Sequence, residues 1–258
     1  MEELVKYHCE DRIAYITLNR PEKRNALSTE LVDGIKAAIR QAESDSHCKV
    51  VVLAAEGEAF CAGADLAYLQ QLQHNTFEEN LADSEHLKEL FLMIYNSPKV
   101  FIAQIQGHAL AGGCGLAGIC DFSFAVPEAK LGYTEVKIGF IPAMVLVFLI
   151  RKIGEGKAKE LLLSGKIISA QSAKDFGLIN EVVEAGELKA HVKHFASKLC
   201  TEASADSLRL TKQLMAEVQH LDIEAGLNLA ARKNAEARAT EDCKSGIAAF
   251  LNKEKLSW

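Results

Sequence analysis

The 258-residue chain is 49% hydrophobic and 25% charged, with a formal net charge of −6. That is long and apolar enough for one sizeable core, or one domain with an appendage, and the acidic balance argues against nucleic acid as the main partner. No apolar run reaches the ~18 residues of a membrane span, and the opening MEELVKYHCEDR has no basic segment leading into an apolar block, so no secretory leader is expected. Seven cysteines without a CxxC pair read as free thiols of a reducing, cytoplasmic compartment and supply no zinc cluster.

In chain order, LVKYHCEDRIAYITLNR predicts two short strands turning at Glu10-Asp11. A helix follows Ser28, its N-cap, with Leu31, Ile35, Ala38 and Ile39 on one face. KVVVLAAEG reads as a strand covered on both faces and ended by Gly57. FCAGADL leads into a helix whose positive end Asp65 favours. Residues 77–95 predict an amphipathic helix, ended near Pro98. VFIAQIQG is a second buried strand, then a glycine-broken stretch and a helix. DFSFAV and KLGYTEVKIGF suggest further strands and a turn. From Ala143 onward the pattern is nearly all helical, so the chain is a β/α body with a helical tail.

The stretch HALAGGCGLAGICD, residues 108–121, poses the sharpest question. Gly112, Gly113 and Gly115 interrupt an apolar run, although each interior helical glycine costs about 0.5–1 kcal/mol, and the polar Asp121 stands at the far end. Two places share one plan of buried strand, small residues and helix start: Ala62-Gly63-Ala64-Asp65 and Ala111-Gly112-Gly113. The first turn of a helix carries N–H groups without intrahelical partners. Two such donors converging on one point would stabilise a developing oxyanion. A tight helix–strand contact with no ligand explains the glycines as well. The stretch fits neither a phosphate loop nor a dinucleotide fingerprint, and no G-x-S-x-G elbow is present. Cys114 and His108 read as structural residues.

NRPEKRNAL, AFCAGADL, GHALAGGCGLAGICDF, GYTEVKIGFIP and SGKIISAQSAKDFGLINEVV follow one another as in the crotonase (enoyl-CoA hydratase/isomerase) superfamily, which the chain resembles from Leu4 to the terminal FLNKEK. The resemblance implies an α/β spiral of ββα turns over residues 1–200. It implies a helical trimerisation region over 201–258, assembling as a trimer or hexamer. It further implies an acyl-CoA thioester as substrate, no metal, and no cofactor beyond the coenzyme A that the substrate carries. The oxyanion donors fall on the backbone N–H groups of Ala64 and Gly112.

Hydratases of this superfamily usually carry two glutamates, at the positions of Gly115 and Glu135. Here only Glu135 remains, which by itself would read as a solvated glutamate. A single glutamate resembles the Δ3,Δ2-enoyl-CoA isomerases, in which it moves a proton from C2 to C4. Apolar neighbours Ile138, Phe140 and Ile141 would raise its pKa. A single-glutamate hydratase or lyase on a branched or aromatic acyl-CoA is the alternative. Separately, the helix bearing Glu78, Glu79, Asp83, Glu85 and His86 is the candidate source of a replacement for the missing acid, though such a charge run more often forms a solvated face. A non-catalytic CoA-binding scaffold is the alternative of another class. The run Ala143–Phe148 replaces a glycine-rich segment and puts bulk near the acyl pocket, or simply packs. The match places Lys23, Arg24 and Ala26 along the pantetheine and phosphates, and Ala62, Asp65 and Leu66 at the adenine and thioester ends. Lys255 would reach the nucleotide phosphates, often from another subunit.

Overall fold

A computed structural model of the chain describes residues 3–256 and 258, leaving aside the side chain of Leu66. Its first elements are an antiparallel hairpin, β1 (Val5–Glu10) and β2 (Ile13–Leu18), with Glu10 opposite Ile13. The turn falls on Asp11-Arg12, one residue later than expected, because both residues take positive φ (49° and 68°). Two left-handed residues match the right-handed twist of the flanking strands. α1 (Thr29–Ser44) is capped as its sequence predicts, Ser28 Oγ accepting the Leu31 N–H at 3.3 Å. Its Leu31, Ile35, Ala38 and Ile39 are buried.

Three passes of the chain then repeat one plan. β3 (Val50–Ala55) steps into β4 (Ala59–Cys61), then α2 (Leu66–Leu72) and α3 (Phe77–Asn96). β5 (Val100–Ile105) steps into β6 (His108–Leu110), then α4 (Gly112–Ile119). β7 (Phe122–Ala125) steps into β8 (Lys130–Gly132), a 3-10 turn at Glu135–Ile138 and α5 (Ala143–Ser164). Next come β9 (Ile167–Ser169), α6 (Ala170–Asp175), β10 (Glu181–Val182) and α7 (Leu188–Glu202). The tail is α8 (Ala205–Glu217), α9 (Ile223–Ala239) and α10 (Glu241–Asn252).

Each pass gives one strand to each of two sheets, ordered β1-β2-β3-β5-β7-β10 and β4-β6-β8-β9. Pairing is parallel except for β1 with β2 and β8 with β9. The apolar runs VVVLA and VFIA form the buried centre of the larger sheet, as strands covered on both faces must. The result is a spiral of ββα turns.

KLGYTEVKIGF divides into the strand β8 and a 3-10 turn ended by Gly139 at φ 76°, the strand and turn that its sequence suggests. The turn departs from the sheet where β9 closes over Gly132, whose added Cβ would stand 2.6 Å from Lys166 O. Two expectations need correction: β6 lies inside the glycine stretch, and β9 and β10 interrupt the all-helical region. Strands of two or three residues are too short to print an alternating pattern.

The tail is tied to the body by a partly buried cation. Lys212 of α8 donates to Ile94 O and Lys99 O, both at 3.0 Å, and to Asp121 Oδ2 at 2.7 Å. Asp121 also accepts the Phe101 N–H at 2.7 Å. The acid closing the glycine stretch is thus an anchor for β5 and α8. α9 and α10 leave Ile223 and Phe250 more than four-fifths exposed. No helix among the described residues is long and apolar enough to cross a membrane.

Candidate active site

The spiral brings three sequence-distant segments to one place. β4, β6 and β8 are adjacent parallel strands, in register at Cys61–Ala109 and at Leu110–Gly132. Ala64, Gly112 and Glu135 each follow the carboxyl end of one of them within three residues. Carboxyl ends of parallel strands, where helix N-termini gather, are the usual ligand-binding edge of such sheets.

Two backbone donors are turned outward here. Leu27 N–H bonds Gly63 O at 2.7 Å and Leu27 O accepts Asp65 N–H at 3.0 Å. A parallel bridge that uses both neighbours of Ala64 leaves the Ala64 N–H facing the opposite side. Gly112 is the first residue of α4, so its N–H has no intrahelical acceptor. The two loops touch: a Cβ on Gly63, which sits at φ 92°, would lie 2.8 Å from Ala111 Cβ and 3.7 Å from Gly112 N. Ala111 itself adopts φ 50° and ψ −126°, a conformation costing a non-glycine residue ~1–3 kcal/mol. Its N–H is pinned to Gly132 O at 2.8 Å, which ties the start of α4 to the end of β8.

The glycines divide by role. A Cβ on Gly113 would stand 2.3 Å from Cys61 O, so that glycine serves helix–strand packing. One on Gly115 would stand 2.2 Å from Val145 Cγ1 and 3.0 Å from Phe91 Cζ. Gly112 meets only the flexible end of Leu27, at 3.0 Å. Two of the three gaps are therefore filled by the protein itself. Gly115, expected at the substrate, is covered by α5 and α3, and the bulky run after Pro142 is what covers it.

Glu135 opens its 3-10 turn with a half-buried side chain. Its Oε2 is buried with no hydrogen-bond partner among the described residues. Burial raises its pKa above the ordinary carboxylate range. Ile138, Phe140 and Ile141 do not cause this, being 69%, 50% and 69% exposed. Closer neighbours are Cys114 and Tyr133, whose acidities respond to the Glu135 charge. Burial pushes the Cys114 thiol up to about 12, which leaves it protonated and unsuited to nucleophilic work. Lys152 donates to Gly118 O at 2.6 Å and Cys120 O at 3.0 Å, and burial lowers its pKa. It shares with Gly115, Tyr133, Val145 and Phe148 an enclosed cavity of about 10 Å³.

No second acid arrives from α3. Glu79 is spent in a capping box with Thr76, Asp83 contacts the Tyr68 hydroxyl, Glu85 pairs with Lys88 and His86 with Asp33; Glu78 is exposed. α3 brings Phe91 to Gly115 instead. His108 Nδ1 accepts the Lys130 N–H at 3.2 Å, a structural contact.

The expected ligand contacts scatter more widely. Asp65 is committed elsewhere: its carboxylate pairs with Arg20 at 2.8 Å and caps α2 through the Ala67 N–H at 2.8 Å. That locks the loop bearing Ala64, and sequence reasoning missed Arg20 as its partner. Lys23 and Arg24 are exposed on the next loop, Ala26 is buried and Ala62 half-buried. Leu66 begins α2. Asn25 holds that loop: its Oδ1 accepts the Arg20 N–H at 2.8 Å, and its Nδ2 donates to Glu56 O at 2.8 Å and Ala59 O at 2.9 Å. Ala62 N–H adds a bond to Arg24 O at 3.0 Å. Lys255 is exposed near Trp258, whose N–H bonds Thr201 O at 3.0 Å and whose carbonyl accepts from Arg12. Arg12 lies in the β1–β2 turn, at the opposite end of β2 from Lys23, so one chain keeps Lys255 apart from Lys23 and Arg24. A surface groove of about 790 Å³, edged by Glu43, Glu85 and Glu89 of α1 and α3, shares no residue with this cluster.

Residues 8–258 match the family model described as enoyl-CoA hydratase/isomerase. The chain is 44% identical over 241 residues to a Thermus thermophilus protein named "Putative enoyl-CoA hydratase", covering 93% of this chain and 95% of that one. It is 34% identical over 251 residues to the crotonyl-CoA hydratase of Syntrophomonas wolfei, covering 96% and 95%. An enoyl-CoA hydratase structure from Mycobacterium smegmatis superposes with a TM-score of 0.93 at 30% identity, covering 100% of this chain and 99% of that one. The ββα spiral with its helical tail is the fold of that structure.

Proposed function

Because the chain belongs to the enoyl-CoA hydratase/isomerase family, we propose that its site moves a double bond within a 3-enoyl-CoA thioester, using Glu135 as the only proton carrier. The carrying observation is the buried, unpartnered Oε2 of Glu135 on the same strand ends as the outward Ala64 and Gly112 N–H groups. The ionised carboxylate takes a proton from C2. Electrons shift so that the C3–C4 double bond becomes C2–C3, and the proton returns at C4. Between those steps the thioester oxygen carries the charge of a dienolate, which two backbone donors stabilise by a few kcal/mol each. The raised pKa of Glu135 brings its proton affinity nearer to that of a working acid–base group. In this reading the only coenzyme is the one carried by the substrate.

Lys23 and Arg24 are the cations we assign to the phosphates of that coenzyme, with Ala26 and Ala62 lining its approach. Lys255 would join them only from a second copy, in keeping with the exposed apolar faces of α9 and α10 and a trimeric or hexameric assembly. A second reading, addition of water, is favoured by the names of relatives such as the crotonyl-CoA hydratase of Syntrophomonas wolfei.

The test follows the conjugated enoyl thioester by absorbance, with 3-hexenoyl-CoA and crotonyl-CoA in separate reactions. A rise with the first, lost at least a hundredfold in Glu135→Gln, is expected. A fall with crotonyl-CoA and no rise with 3-hexenoyl-CoA would replace isomerisation by hydration.

A further inference from the structure

Position 115 lies one helical turn from Gly112 on the same face of α4, so a side chain there would lie beside a ligand held at Gly112. The room for such a side chain is already taken. The first carbon of any side chain at 115 would meet Val145 Cγ1 at 2.2 Å and the Phe91 ring at 3.0 and 3.1 Å. Neither neighbour yields easily. Val145 is β-branched, stiff at χ1 and buried in the first turn of α5. Phe91 is fully buried and stacked on Phe148, ring centres 6.0 Å apart. The void left beside them is about 10 Å³, room for one water at most.

We propose that Val145, backed by Phe91, determines the reaction specificity of this site by occupying the notch over Gly115 and shutting out a second acid and its water. Adding water across a double bond needs an ordered water and a proton for the other carbon. Moving a double bond needs one carboxylate and no water. Val145 therefore holds the chain to proton transfer within the acyl group. This rests on the reading of Glu135 as the base.

The test compares the purified wild-type chain with Gly115→Glu, Val145→Ala and the double variant, on 3-hexenoyl-CoA and crotonyl-CoA. The double variant should hydrate crotonyl-CoA at least tenfold faster than wild type and than Gly115→Glu alone, because only the smaller residue at 145 opens room for the new carboxylate. Hydration by Gly115→Glu equal to that of the double variant overturns the proposal. So does a double variant that is folded by circular dichroism and gains nothing. If the double variant does not fold, Val145→Ala alone decides. In D2O, its isomerised product should carry at least threefold more solvent deuterium per turnover than that of wild type, and an unchanged label overturns the proposal. A wild type that isomerises, beside a double variant that does not hydrate, sinks this proposal and leaves the Glu135 reading intact. A wild type that never isomerises sinks both.

Discussion

Replacing Gly115 by alanine isolates the notch from any question of catalysis. In a helix interior, glycine to alanine should stabilise by about 1 kcal/mol through propensity. Here the new methyl would stand 2.2 Å from Val145 Cγ1 and 3.0 Å from Phe91 Cζ. Overpacking of a close-packed core costs roughly 1–3 kcal/mol, and a contact this short against a stiff valine belongs at the upper end. Gly115→Ala should therefore lose about 1–2 kcal/mol, seen as a fall in Tm of roughly 2–8 °C for a chain this long. Val145→Ala alone removes two buried methyl groups and should lose about 1.5–2.5 kcal/mol. In the double variant the clash is gone and the propensity gain returns, so the two changes should couple by roughly 2–3 kcal/mol in the stabilising direction. Thermal and urea unfolding at one fixed protein concentration reads all four corners of the cycle. Additivity within about 0.5 kcal/mol would show that Val145 does not fill the notch.

Other outcomes follow from the same geometry. The kcat/KM for isomerisation should decline as pH falls through a value above the ordinary carboxylate range, because burial raises the Glu135 pKa and its ionised form is the base; a limb at the ordinary value would place the base elsewhere. The folded state also holds that proton to higher pH than the unfolded chain does. Its stabilising contribution is complete below the ordinary carboxylate range and is lost as pH rises through the raised value. Glu135→Gln should therefore raise Tm relative to wild type at pH 8, a gain that disappears at pH 4. Lys212→Ala leaves Asp121 and two carbonyls without their shared cation. It should destabilise by about 2 kcal/mol, at the low side for a broken buried ion pair because Asp121 retains contact with water; a Tm within error of wild type would show that apolar packing alone docks α8. If the chain assembles through its helical tail as proposed, Phe250→Asp, on the exposed face of α10, should shift its sedimentation toward monomer at micromolar concentration, and an unchanged profile would show that α10 forms no interface.

Much of this architecture was legible in the sequence where periodicity was long. The Ser28 cap of α1, the buried runs VVVLA and VFIA, and the helical tail all declare themselves locally. The motif resemblance pointed to Ala64, Gly112 and Glu135 before their strands were known to be adjacent. Nothing local could reveal that Val145, thirty residues after Gly115, and Phe91, twenty-four before it, meet over it. The same holds for Arg20 with Asp65, forty-five residues apart, and for Lys212 with Asp121. Such contacts arise from the winding of the spiral, not from any pattern along one element. Ile138, Phe140 and Ile141 look like natural walls for Glu135 by proximity in sequence, yet they face outward.

The Asn25 knot has a consequence for how a ligand would arrive. Lys23 and Arg24 are exposed, but their backbone is fastened by the Asn25 side chain and by the Ala62–Arg24 bond. The loop is therefore ordered before any anion reaches it, and binding there need not freeze a mobile segment. Encounter should depend steeply on ionic strength while the loop's conformation stays constant. The heat-capacity change on binding should then reflect only the apolar surface covered, with no contribution from coupled folding. On the proposed reading, the two cations would stand on a fixed backbone as an electrostatic landmark on an acidic molecule.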